Sequence, residues 1–91
     1  MRVKLKLCDA YKPAMPGRPE FVEVIGTTVG GCIKDFMTKY PQMESYLCEH
    51  PGEICPIIQI FHNGLSISLN ELDTPVKDGD EIFPLLMIGG G

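Results

Sequence analysis

Apolar and polar residues alternate at the start of the chain, where Val3, Leu5 and Leu7 interleave with Lys4, Lys6 and Cys8. This period of two predicts a strand with one face in a core and the other in water. Three prolines and a glycine between Ala10 and Pro19 interrupt any ladder and predict a loop or wide hairpin connection. Phe21, Val22, Val24 and Ile25 read as the second strand. Thr27 or Thr28 is placed to cap a helix on which Val29, Ile33, Phe36, Met37 and Tyr40 recur at helical spacing, and Pro41 ends it. Gly30 and Gly31 in its first turn cost about 1 kcal/mol each against alanine, a position where another element can approach closely.

From Gln42 to Pro56 the pattern is irregular and reads as loop, with a Pro51-Gly52 turn and a spacing of Met43, Tyr46 and Leu47 that permits a short helical turn. Ile57, Ile58, Ile60 and Phe61 form a β-branched apolar run, His62-Asn63-Gly64 is a hairpin signal, and Leu65 to Leu69 alternates apolar residues with serine. Asp78-Gly79-Asp80 then makes a tight turn before a last strand, Glu81 to Ile88, apolar enough to be central in a sheet. The order is ββαβββ. One main helix laid across a mixed sheet, with first and last strands adjacent and parallel, is the β-grasp (ubiquitin-like) arrangement of the α+β class. The domain is expected to span residues 1–88, followed by a flexible tail, 89–91.

Composition narrows the function more by exclusion than by indication. A chain of 91 residues has room for one domain, and 44% hydrophobic with 22% charged residues is an ordinary globular balance. The net charge of −4 and the scattered basic residues leave no footprint for nucleic acid or an anionic membrane. The alternating N-terminus lacks the unbroken apolar stretch of a secretory signal, so a cytoplasmic location is expected. In that reducing compartment Cys8, Cys32, Cys48 and Cys55 are expected as free thiols.

The last strand runs into Gly89-Gly90-Gly91. A cap or turn needs one glycine, whereas three residues without side chains make a thin peptide that threads a narrow site where any Cβ would clash. The group this places clear of the domain is the Gly91 carboxylate. With the segment Val76-Lys77-Asp78-Gly79-Asp80-Glu81-Ile82 and the strand after it, this terminus resembles the ubiquitin-like sulfur carriers, especially the small subunit of molybdopterin synthase. The thiamin-pathway carrier is similar but shorter. The resemblance is residue-specific from about Asn63-Gly64 onward, and Gly90 and Gly91 fall on the family's terminal diglycine; the extra Gly89 is a mild departure.

The resemblance implies a carrier, not an enzyme. An E1-like adenylating enzyme would use ATP to activate Gly91 as an acyl-adenylate, and a sulfur donor would convert it to a thiocarboxylate. No cofactor would be bound permanently. The tail would then insert into the molybdopterin synthase large subunit, or an equivalent sulfur acceptor enzyme, in molybdopterin or tungstopterin synthesis. Phe83, Leu85 and Met87 on one face of the last strand are candidates for gripping that partner, with Ile82, Leu86 and Ile88 as the inward set and Pro84 able to disturb the alternation. The competing readings are a carrier for thiamin thiazole synthesis, a ubiquitin-like modifier joined through Gly91 to lysines, and a β-grasp binding module with an inert tail.

Other reactive residues read as structural. Cys48, His50 and Cys55 lack a CxxC pair and a fourth ligand, so no metal site is expected. A Cys48–Cys55 disulfide is conceivable across the Pro51-Gly52 turn, but the compartment opposes it. His62 reads as a surface or turn histidine, and Asp78, Asp80 and Glu81 as a solvated turn.

Overall fold

A computed structural model of the chain describes residues 1–86. Met87, Ile88, Gly89, Gly90 and Gly91, and with them the expected boundary between domain and tail, lie outside the described residues. The strands are β1 (Arg2–Lys6), β2 (Phe21–Ile25), β3 (Cys48–His50), β4 (Glu53–Ile54), β5 (Ile58–His62), β6 (Leu65–Ile67) and β7 (Glu81–Leu86). The helices are α1 (Val29–Lys39) and the single turn α2 (Glu44–Leu47). Five strands form one mixed sheet in the order β2-β1-β7-β5-β6. β1 and β7 run parallel, pairing Lys4 with Glu81 and Leu5 with Ile82, while β7 and β5 run antiparallel from Ile58↔Leu86 to His62↔Ile82. The expected β-grasp order therefore holds, with the last strand at the centre of the sheet.

Alternation decides which side of the sheet is the core. Val3 and Leu5 of β1, Val22 and Val24 of β2, Ile58 and Ile60 of β5 and Ile82 of β7 turn to one face and are buried. There they meet Val29, Cys32, Ile33 and Phe36 of α1, and the spacing of these four puts them on one helical stripe. Thr28 caps the helix by accepting from the Gly31 N–H at 3.0 Å. Gly30 answers the expectation of close approach: its N–H donates to the Leu72 carbonyl at 2.7 Å, and a Cβ there would lie 3.0 Å from that same oxygen. In the β5–β6 hairpin Asn63 and Gly64 both take positive φ, 51° and 84°, as a tight primed turn requires.

Two loop segments are more ordered than the sequence implies. Residues 41–56 hold a 3₁₀ turn, then α2, the short helical turn that the spacing of Met43, Tyr46 and Leu47 permits, and the small β3–β4 ribbon, with Met43 and Leu47 fully buried against the core. Within Ala10 to Pro19, Tyr11 and Met15 are buried too, on either side of a 3₁₀ turn. Isolated apolar residues among prolines carry no period, which is why pattern alone reads Ala10 to Pro19 as loop.

Candidate functional site

The site residues expected from sequence divide between the end of β7 and the tail beyond it. Gly89, Gly90, Gly91 and Met87 lie outside the described residues. Phe83 and Leu85 are half-buried and share the sheet face opposite α1, while Ile82 and Pro84 are buried on the core side and Leu86 packs against the core. Pro84 leaves the alternation intact despite its missing N–H.

On that outer face the register builds a row across four strands. Phe21 of β2 stands opposite Lys6 of β1, and Phe61 of β5 opposite Phe83 of β7. The Lys6 ammonium lies 5.1 Å from the centre of the Phe83 ring, and the Phe61 and Phe83 rings are 6.1 Å apart, tilted by 32°. The Lys4 ammonium lies 5.9 Å from the Phe21 ring. Cation–π contacts of this kind hold the lysine stems over the rings and leave an apolar row rimmed by positive charge. Past this row Lys6, Cys8, Lys12, Glu20, Phe83, Leu85 and Leu86 line a shallow groove of about 420 Å³ at the Leu86 end of β7.

Two residues read as solvated turn or surface groups prove otherwise. His62 Nε2 lies 2.9 Å from Asp80 Oδ2, with both side chains largely buried. Asp80 also accepts from the Lys77 N–H at 2.9 Å, and the Asn63 side chain accepts from the Glu81 N–H at 2.8 Å. The hydrogen bond from His62, then that from Lys77, holds the Asp80 carboxyl down to about 2. The network ties the β5–β6 hairpin to the entry of β7, the end of that strand remote from Leu86. Nothing in the one-dimensional pattern pairs residues 18 positions apart.

The cysteines offer no assembled chemistry. All four are free, Cys32 is buried, and burial pushes the Cys32 and Cys48 thiols up, away from the reactive thiolate. Cys48 pairs with Ile54, whereas the Cys55 N–H donates to the Leu47 carbonyl at 2.8 Å, so the two cysteines are not cross-strand partners. Among the described residues no group of three or more His, Cys, Asp or Glu is arranged to hold a metal ion. Among them, too, no helix is long and apolar enough to cross a membrane. Sequence reading missed Tyr11, which is fully buried with a hydroxyl that has no hydrogen-bond partner among the described residues. Burial, then the nearby Cys8 and Cys55, pushes that hydroxyl above the usual phenol range.

No protein-family model and no curated protein matches the sequence. Solved structures do. The small archaeal modifier protein 1 (SAMP1) of Methanosarcina acetivorans is 30% identical, with a TM-score of 0.82 over 99% of this chain and 96% of that one. A chain of the Amycolatopsis orientalis BexX/CysO complex is 23% identical, with a TM-score of 0.81 over 98% and 99% of the two chains. A chain of the complex of subunits 1 and 2 of the molybdopterin-converting factor from Helicobacter pylori is 21% identical, with a TM-score of 0.63 over the whole of both.

Proposed function

Because this chain belongs to the ubiquitin-like sulfur-carrier family, we propose that it carries sulfur as a thiocarboxylate on Gly91 and delivers it to a partner enzyme in molybdopterin or tungstopterin synthesis. The observation that carries the reading is the continuity of β7. The strand that presents Phe83 and Leu85 on the outer face runs on in sequence to Gly89-Gly90-Gly91. A partner gripping the aromatic row therefore holds the strand whose sequence leads, five residues on, to Gly91.

The chemistry needs no catalytic side chain from the carrier. A carboxylate is a poor electrophile until ATP supplies AMP as its leaving group; the adenylating enzyme forms the acyl-adenylate and releases pyrophosphate. Attack by a hydrosulfide equivalent then expels AMP and leaves the thiocarboxylate, whose sulfur is the nucleophile in the acceptor enzyme. The glycines fit a channel too narrow for a Cβ. The complexes named for the Amycolatopsis and Helicobacter chains support a protein partner on this model.

Intact mass after incubation with ATP, an adenylating enzyme and a sulfur donor tests the reading. The expected gain is that of one oxygen replaced by sulfur, absent in a chain lacking Gly91. An unchanged mass with an enzyme active on its own carrier would overturn it.

The modifier name of the 30% identical Methanosarcina protein favours a second reading, in which the same activated Gly91 is joined to lysine amines of other proteins. Tagged chain expressed in cells separates the two. A ladder of covalent adducts that survives reductant and denaturant, and vanishes without Gly91, supports the modifier; thiocarboxylate without a ladder supports the carrier alone.

A further inference from the structure

β2 is an edge strand, and its geometry makes it a template for another strand. Along the β1–β2 pair the Leu7 N–H donates to the Glu20 carbonyl and the Gly26 N–H to the Met1 carbonyl. Hydrogen-bonded and non-bonded pairs alternate in an antiparallel ladder, so Val22 and Val24 turn their backbone groups to β1, while Phe21, Glu23 and Ile25 turn theirs to the open side. Phe21 and Ile25 are also 41% and 53% exposed. A five-residue apolar edge of this kind invites strand addition. The opposite edge, β6, is only three residues long.

Two side chains of α1 reach the open side of β2. Asp35 Oδ2 accepts from the Ile25 N–H at 2.9 Å, and Lys39 Nζ donates to the Glu23 carbonyl at 3.4 Å. The two side chains also pair with each other at 3.0 Å, one helical turn apart. They thus take one outward donor and one outward acceptor that an incoming strand would need. Glu23 adds a further obstacle. If two copies paired antiparallel about the centre of β2, Phe21 would face Ile25, an apolar match, but Glu23 would face Glu23, like charges opposed at short range.

We propose that Glu23, Asp35 and Lys39 form an edge guard that closes β2 against strand pairing with a second copy of this chain. The guard combines satisfied edge groups with charge repulsion, and the partner it excludes is fixed by the self-complementary ends of the strand.

The test compares two triple variants that differ at one position. Glu23→Thr with Asp35→Ala and Lys39→Ala removes the guard and keeps a good strand former; Glu23→Pro with the same two changes removes the guard but leaves an outward-facing proline that cannot donate to a new ladder. Sedimentation velocity over a concentration series is expected to show the threonine variant moving toward a species of twice the parent mass, and the proline variant sedimenting as the parent does. A folded threonine variant that sediments like the parent, or a proline variant that associates equally, overturns the proposal. Should the triple variants lose their far-UV dichroism, hydrogen exchange in Asp35→Ala decides. Faster exchange at Ile25 with Val22 and Val24 unchanged supports the guard, and unchanged exchange at Ile25 overturns it.

Discussion

His62 and Asp80 meet at 2.9 Å across the top of the sheet, joining the β5–β6 hairpin to the turn ahead of β7. The pair ties down the start of β7, the end of that strand opposite Leu86. Its carboxyl is held from the ordinary 3.8 down to about 2. A carboxyl whose value is lower folded than unfolded stabilises the fold above its unfolded value, and the contribution is lost as pH falls from 3.8 toward about 2. His62→Ala is expected to return Asp80 toward the ordinary range and to flatten the loss of stability across that interval. Carboxyl-carbon NMR titration of Asp80, with acid unfolding of parent and variant, checks both; an unmoved Asp80 would assign the shift to the Lys77 N–H instead.

Tyr11→Phe should stabilise the protein. The hydroxyl is fully buried without a partner among the described residues, and phenylalanine keeps the ring's shape and its edge contact with Tyr46, 6.1 Å between centres. Removing an unsatisfied buried hydroxyl is worth about 1 kcal/mol, or roughly 4–8 °C in Tm for a domain of this size. Calorimetry reads it directly. A fall in Tm would mean the hydroxyl holds a bond the fold needs.

Phe83→Asp should separate folding from docking. The ring is half-buried on the outer face, against Phe61 and under Lys6, and contributes nothing to the α1 side of the sheet. Loss of a central aromatic contact costs about 2 kcal/mol, so affinity for the sulfur acceptor enzyme should fall roughly 30-fold while the far-UV dichroism stays that of the parent. Isothermal titration of the two proteins gives the answer, and unchanged affinity would move the docking surface off this face.

Gly26→Ala should destabilise without touching either surface. A Cβ at this link between β2 and α1 would lie 2.8 Å from the Cys32 backbone nitrogen and 2.9 Å from its sulfur. Backbone cannot retreat as a flexible side chain can, and overpacking of this kind costs about 1–3 kcal/mol. Chemical denaturation should show a lower midpoint with an unchanged slope.

Where burial was periodic, it was legible. Val3 and Leu5, Val22 and Val24, and Val29, Ile33 and Phe36 announce two strands and a helix because each element repeats its contact with one core at its own period. Tyr11 is buried just as deeply, yet it is a single anchor in an irregular segment with no period, and the spacing of Met43 and Leu47 is too short to announce more than one helical turn. The same distinction separates Phe83 from His62. Alternation along β7 predicts the outward face of the one, whereas the other depends on which turn the hairpin happens to reach.

The sequence by itself determined the ββαβββ order of the main sheet and helix and the two faces of β7 over its described residues, because local period acts within a few residues along the chain. Only the tertiary structure decided that Lys6 lies over Phe83, that His62 finds Asp80, and that Asp35 and Lys39 close the edge of β2. Each of these joins residues on different elements. Their meeting depends on sheet register and on how α1 lies across the sheet, quantities set by the packing of the whole core rather than by any segment of the chain.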